Sequence, residues 1–242
     1  GVNLRPHMKT AKSIDVAKIA LEGNFGGITV STLKEAEYFA ENGIKDMIYA
    51  VSMVASKVKR AAKLLKNGTD LKCIMDNPDA AHAVAERAVE LGVELPILIE
   101  VDVGDHRGGL MPDADNLMAM ARALHDYPGV QLAGVLTHAG NSYGCRSVEE
   151  LQKIADEERD GALIVVRKLR NAGFPCEIVS IGSTPTAVHA RDLEGITEIR
   201  SGVYMFGDVF QAGIHSCQTK DMAVSVLATV ISHRQELNCA LI

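Results

Sequence analysis

Short runs of aliphatic and β-branched residues alternate along the chain with longer stretches in which apolar positions recur every three or four residues. Residues 4–10 open with an apolar-to-basic run and predict a first strand that ends in Lys9. Residues 14–22 read as a helix with Ser13 as its cap, and residues 26–30 as a second strand. Ser31 starts the next helix, with Lys34 where a capping box wants Glu, and Asn42-Gly43 ends it. A strand at 47–51, a helix at 56–66 and a strand at 71–75 follow. Asp76 to Asp79 then opens a helix in which Ala81, Val84, Ala85, Ala88 and Leu91 share one face. The strand at 95–103 is nearly continuous aliphatic sequence, broken by Glu100 and Asp102 as expected where alternate side chains enter a polar barrel mouth.

A helix at 113–126, a strand at 130–136, a long helix at 148–172, a strand at 177–181 and a short helical turn at 184–190 complete seven repeats. Residues 196–199 and 202–206 bracket the eighth strand. Strand-helix repeats of this number predict an α/β fold, a (β/α)8 TIM barrel over residues 1–210. A dinucleotide loop at residues 23–27 is disfavoured, because that glycine run precedes a strand instead of following one. Residues 224–231, rich in β-branched side chains, follow a loop in place of a crossover helix. Residues 211–242 therefore read as a linker and the first strand of a C-terminal β-domain that is cut short, and the opening directly inside a strand suggests missing residues upstream.

Composition narrows the function classes. The chain has 242 residues and a net charge of −6, with no long segment of unbalanced Lys and Arg, which argues against a nucleic-acid partner. Lys57, Lys59, Arg60, Lys63 and Lys66 read as the solvated face of one helix. No apolar run is long enough for a membrane span. Five scattered cysteines without a CxxC pair suit reduced thiols and a cytoplasmic location.

The chemistry is expected after the strand C-termini. Those positions hold His7 and Lys9, residues 102–109, His138 to Tyr143, residues 182–186, and Ser201 to Tyr204. Gly182-Ser183-Thr184-Pro185-Thr186 and Ser201-Gly202-Val203 follow the seventh and eighth strands. They offer small residues, backbone N–H groups and hydroxyls for a phosphate. A lysine on a different strand is what a pyridoxal phosphate enzyme adds to such a site. Spacing alone leaves Lys9 open between a reactive amine and a surface charge, and His138 between a substrate-facing group and a core histidine.

Arg5-Pro6-His7-Met8-Lys9-Thr10, residues 27–32, His106-Arg107-Gly108-Gly109, Thr137-His138-Ala139-Gly140, residues 182–186 and Gly202-Val203-Tyr204 resemble, in order, the D-threonine aldolase and D-serine dehydratase family. The chain looks especially similar to the bacterial branch that includes D-threo-3-hydroxyaspartate dehydratase. The resemblance covers nearly the whole sequence and implies the alanine-racemase type of barrel. It further implies that Lys9 carries pyridoxal phosphate through its side-chain amine and later acts as acid and base. By the same resemblance Arg107 approaches the cofactor ring oxygen, and Tyr143 and Tyr204 contact the cofactor. Thr184, Gly202 and Val203 hold its phosphate, and His138 faces the β-hydroxyl of a D-amino acid substrate. The implied protein is a lyase, a homodimer, and dependent on a divalent metal (zinc, manganese, magnesium or cobalt) whose His and Cys or Asp ligands lie beyond Ile242. Ala11 departs from the family, many members having histidine there. His215-Ser216-Cys217 imitates the metal spacing but lies too early in the chain, so no metal ligand is expected among these residues. Two other readings stay open at this point: an amino-acid racemase on the same barrel, and a non-catalytic pyridoxal phosphate carrier.

Overall fold

The computed structural model describes residues 1–242. Its strands are β1 (Asn3–Leu4), β2 (Ile28–Val30), β3 (Asp46–Ser52), β4 (Asp70–Met75), β5 (Leu95–Val101), β6 (Val130–Thr137), β7 (Ile178–Ile181) and β8 (Glu198–Ile199). The intervening helices are α1 (Ile14–Leu21), α2 (Leu33–Glu41), α3 (Ala55–Lys66), α4 (Pro78–Glu90), α5 (Leu117–Asp126), α6 (Val148–Asn171) and α7 (Thr184–His189), and α8 (Val209–Gly213) follows β8. The strands lie in the order β1-β8-β7-β6-β5-β4-β3-β2, and every adjacent pair is parallel. The ends of that sheet meet just past β1. His7 forms a parallel bridge with Thr29, Thr29 N–H donates to Pro6 C=O at 2.9 Å, and Met8 N–H donates to Thr29 C=O at 2.8 Å. The chain therefore forms the eight-stranded α/β barrel that the repeats predict.

Period-two alternation builds two apolar layers. Met47, Tyr49, Cys73, Met75, Ile97, Ile99 and Val135 face the helices, whereas Ile48, Ile74, Leu98 and Leu136 meet inside the barrel. The rest of the interior is ionic. Arg5 Nε donates to Glu198 at 2.8 Å and its other nitrogens to Asp46 at 2.8 and 3.1 Å, while Ser180 Oγ donates to Glu198 at 2.6 Å. Arg200 Nη1 donates to Ser180 Oγ at 2.8 Å and Nη2 donates to Thr137 C=O. This chain of contacts ends beneath the barrel mouth.

Several boundaries differ from the sequence reading, each for a local reason. Ser13 makes no side-chain cap bond. The cap of α2 is Thr32, not Ser31: Thr32 Oγ1 accepts Glu35 N–H at 3.0 Å, while Glu35 Oε2 accepts the N–H of Ser31, the residue before the cap, at 2.8 Å. α5 begins at Leu117, well past residue 113. Residues 202–206 are not strand, because β8 is short and passes into a 3₁₀ turn at Val203–Met205. Residues 224–231 form no strand either. They are exposed throughout, and the strands there are β9 (Ser232–Arg234) and β10 (Cys239–Leu241), an antiparallel pair. β-propensity is realised only against a partner, and residues 224–230 have none, Ile231 alone donating its N–H to Leu241 C=O at 2.9 Å. No helix is long and apolar enough to cross a membrane, and all five cysteines are free thiols.

Candidate active site

A cavity of about 380 Å³ opens at the C-terminal ends of the strands, and its lining includes His7, Lys9, Arg107, His138, Tyr143 and Thr184. Lys9 follows the bridge that closes the barrel, in a turn anchored by the fully buried Met8, and its N–H lies 3.4 Å from His7 Nδ1. Lys9 is exposed at the cavity mouth, and partial desolvation of its amine, together with the guanidinium groups of Arg107 and Arg200, holds it below the ordinary lysine value. His7, buried beside Lys9 and Arg200, is pushed well below the usual histidine value.

The loops after β7 and β8 form one wall of the cavity. Ser183 caps α7, accepting Thr186 N–H at 3.3 Å while Thr186 Oγ1 accepts Ser183 N–H at 3.0 Å. Thr184 heads that turn, and its Oγ1 is buried with no hydrogen-bond partner in the protein. The N–H groups of Gly202 and Val203 also enter none of the loop, cap or side-chain hydrogen bonds, whereas the Thr184 N–H is directed at the Tyr143 phenol oxygen. Gly202 presses against the Lys9 turn so closely that a Cβ there would lie 2.8 Å from His7 C=O and 2.9 Å from Thr10 Oγ1. A bare backbone with free donors next to an orphaned hydroxyl fits a phosphate group.

His138 follows β6, with Nδ1 3.2 Å from Gly182 C=O. That contact assigns the proton to Nδ1 and leaves Nε2 as acceptor. Burial depresses its pKa, Glu158 opposes the shift, and Arg200 and Lys9 add to it. Tyr143, on the turn Gly140–Gly144, stacks on Phe210 with ring centroids 6.3 Å apart, and burial raises its phenol pKa. Arg107 comes from the loop after β5. Asp102 folds that loop by accepting Gly104 N–H at 2.9 Å, His106 N–H at 3.1 Å and His106 Nδ1 at 2.9 Å. Arg107 itself is 68% exposed, with Nε 3.8 Å from Asp105.

The structure thus gathers Lys9, Arg107, His138, Tyr143, Thr184, Gly202 and Val203 around one cavity. Tyr204 is the exception. It lies on the 3₁₀ turn, 38% exposed, and does not line the cavity, because the chain turns there instead of continuing as a strand that would point it inward. Sequence reasoning missed Arg200, a buried cation in the cavity lining whose pKa burial lowers to about 10. Its signal was the i, i+2 spacing from Glu198, which places both on one face of an extended segment. It also missed Glu158, a carboxylate on the apolar stripe of α6 formed by Leu151, Ala155, Ala162 and Val165. His215 is exposed and Cys217 Sγ lies 3.8 Å from Asp208 C=O; no group of three or more His, Cys, Asp or Glu side chains is placed to hold a metal.

The sequence profile described as alanine racemase, N-terminal domain, matches residues 1–209. D-threo-3-hydroxyaspartate dehydratase of Delftia sp. (strain HT23) is 47% identical over 243 residues, covering 100% of this chain and 64% of the relative. Its solved structure superposes with a TM-score of 0.93 at 48% identity, covering 98% of this chain and 62% of that one. D-serine dehydratase of Dictyostelium discoideum is 32% identical over 256 residues, covering 98% of this chain and 64% of the relative. D-threonine aldolase of Arthrobacter sp is 29% identical over 233 residues, covering 96% and 61%. The chain spans under two thirds of the length of each of these relatives. With its barrel, its cavity and a profile match over most of its length, the chain belongs to the family of the alanine racemase N-terminal domain.

Proposed function

We propose that this protein is a pyridoxal-phosphate-dependent lyase acting on small D-amino acids with a β-hydroxyl group, by dehydration or by retro-aldol cleavage. The observation that carries the reading is the convergence, on one cavity, of a lysine with a depressed pKa and a phosphate-shaped pair of loops with free donors. The names of the relatives, dehydratases and an aldolase, supply the reaction class.

Pyridoxal phosphate, when bound, supplies an aldehyde that takes up an amine and a ring that draws electron density from the substrate Cα. Thr184 Oγ1 and the N–H groups of Gly202 and Val203 would hold its phosphate, and Arg107 would set a cation against its ring oxygen. Lys9 Nζ is the amine, and its lowered pKa leaves more of it unprotonated and nucleophilic at neutral pH. The same nitrogen, once free, can take a proton from Cα and return it. His138 Nε2 is the acceptor nearest in role to the substrate hydroxyl, able to hold its proton while Nδ1 stays tied to Gly182. Arg200 contributes a fixed positive charge under these groups and discourages protonation of His7, Lys9 and His138.

The same proposal takes residues 1–210 as the cofactor-binding unit and residues 211–242 as a linker into a β-rich unit. It includes a cytoplasmic homodimer, and a divalent ion with ligands from the part of the relatives that this chain does not cover. The exposed residues 224–231 form no strand that would separate a pyridoxal phosphate carrier from an enzyme, so activity has to decide between the two. The test is to supply D-serine, D-threonine and D-threo-3-hydroxyaspartate to the full-length protein with cofactor and divalent metal. Keto acid and ammonia identify dehydration, whereas glycine and aldehyde identify cleavage. Turnover of none of the three would refute the reading.

A further inference from the structure

Glu158 belongs to α6, outside the ring of strands, yet it is 0% exposed and its carboxylate lies between the ends of β6 and β7. Oε1 accepts from Thr137 Oγ1 at 2.9 Å, Ala139 N–H at 3.1 Å and Gly182 N–H at 2.9 Å, and Oε2 accepts from Thr186 Oγ1 at 2.8 Å. No Lys, Arg or His forms an ion pair with it. A buried carboxylate without a cation is costly, and here four donors offset the loss of water. Those donors come from two loops. Thr137 and Ala139 flank His138, and Gly182 and Thr186 flank Ser183 and Thr184.

We propose that Glu158 is a positioning residue that locks the His138 segment and the Thr184 loop into one arrangement by holding donors from both. It lines no part of the cavity and acts only through the groups it holds. The proposal rests on reading the cavity as a pyridoxal phosphate site. The charged and titratable groups that face His138 are Glu158 from α6, Arg200 from the end of β8, His7 and Lys9 from the barrel closure, and Tyr143 from the turn after β6. Among them Glu158 raises the histidine pKa, whereas Arg200 and Lys9 lower it.

Three proteins test this: the unsubstituted protein, Glu158→Gln, and Thr137→Val, which removes one donor on the histidine side without touching the cavity. Pyridoxal phosphate is titrated into each by absorbance, and the His138 ring protons are followed by NMR against pH in the cofactor-free proteins. Glu158→Gln is expected to weaken cofactor affinity about tenfold, as hydrogen bonds from two loop N–H groups lose a charged acceptor. Its His138 midpoint is expected at lower pH than in the unsubstituted protein. Thr137→Val is expected to weaken cofactor affinity about threefold although it lies on the other loop. Unchanged affinity in the variants overturns the coupling, and an unmoved His138 midpoint overturns the hold of Glu158 on the His138 segment. If Glu158→Gln does not fold, the affinity of Thr137→Val decides alone. If the unsubstituted protein itself takes up no pyridoxal phosphate, the cofactor reading fails. The His138 titration still decides the role of Glu158.

Discussion

The two sides of the barrel interior are made of opposite materials. Along β3 to β6 it is filled by Ile48, Ile74, Leu98 and Leu136, whereas from β7 through β8 to β1 it holds Ser180, Glu198, Arg200 and Arg5. The cavity walls above follow the same division. The β3 to β5 side offers Ala50, Val51 and Ser52, an exposed loop bearing Arg107, and a single carboxylate, Glu100, whose Oε2 accepts from Ser52 Oγ at 3.3 Å. The β6 to β8 side offers buried loops fixed by Glu158, Ser183 and Thr186. The apolar side supplies cohesion, and the ionic side supplies fixed dipoles and charges where the proposed phosphate would be held.

This contrast can be broken from either side. Leu98→Ala should cost about 3 kcal/mol of stability, since the site is fully buried and cannot collapse freely, yet leave cofactor affinity nearly unchanged. Denaturant unfolding and a pyridoxal phosphate titration check the two halves of that statement. Gly202→Ala should do the reverse. Its Cβ would meet the His7 carbonyl and Thr10 at under 3 Å, forcing apart the Lys9 turn and the phosphate loop, and affinity should fall about a hundredfold while the barrel stays folded. Thr184→Val keeps the shape and removes the orphaned hydroxyl, with an expected loss of about tenfold in affinity, the size of one hydrogen bond to a charged group.

Asp46→Asn probes the ionic interior away from the cavity, and about 1 kcal/mol is expected from weakening its hydrogen bonds to Arg5. Burial opposes ionisation of Asp46, but the contacts with Arg5 and with Lys72, whose Nζ donates to Asp46 at 2.8 Å, prevail and hold its carboxyl below the ordinary aspartate value. A carboxyl with a depressed folded pKa stabilises fully above its unfolded value, near 3.9, and that contribution disappears as pH falls through the folded value. The difference in stability between the two proteins should therefore be flat above about pH 5 and shrink in the acid range. A difference that grew on acidification would contradict the assignment.

Much of this was legible in the residues. Alternating patterns gave the order of strands and helices, because most elements bury one face and a face has a period. The loops at 182–186 and 201–203 were legible because their small residues follow strands. What escaped were contacts fixed only in three dimensions. Arg200 looks like any basic residue beside a short strand until the barrel curls it under the cavity, and Glu158 looks like one acid among the six of α6 and passes unnoticed until β6 and β7 converge on it. Residues 224–231 mislead in the other direction, since β-branched composition promises a strand that needs a partner to exist.

The most direct test of the whole reading is to load the protein with pyridoxal phosphate, reduce it with borohydride and map the modified peptide. One pyridoxyl group, on Lys9 and absent from Lys9→Ala, is the expected result. A protein that retains the adduct after Lys9→Ala, or that carries it on another lysine with Lys9 free, would contradict the assignment of the cavity.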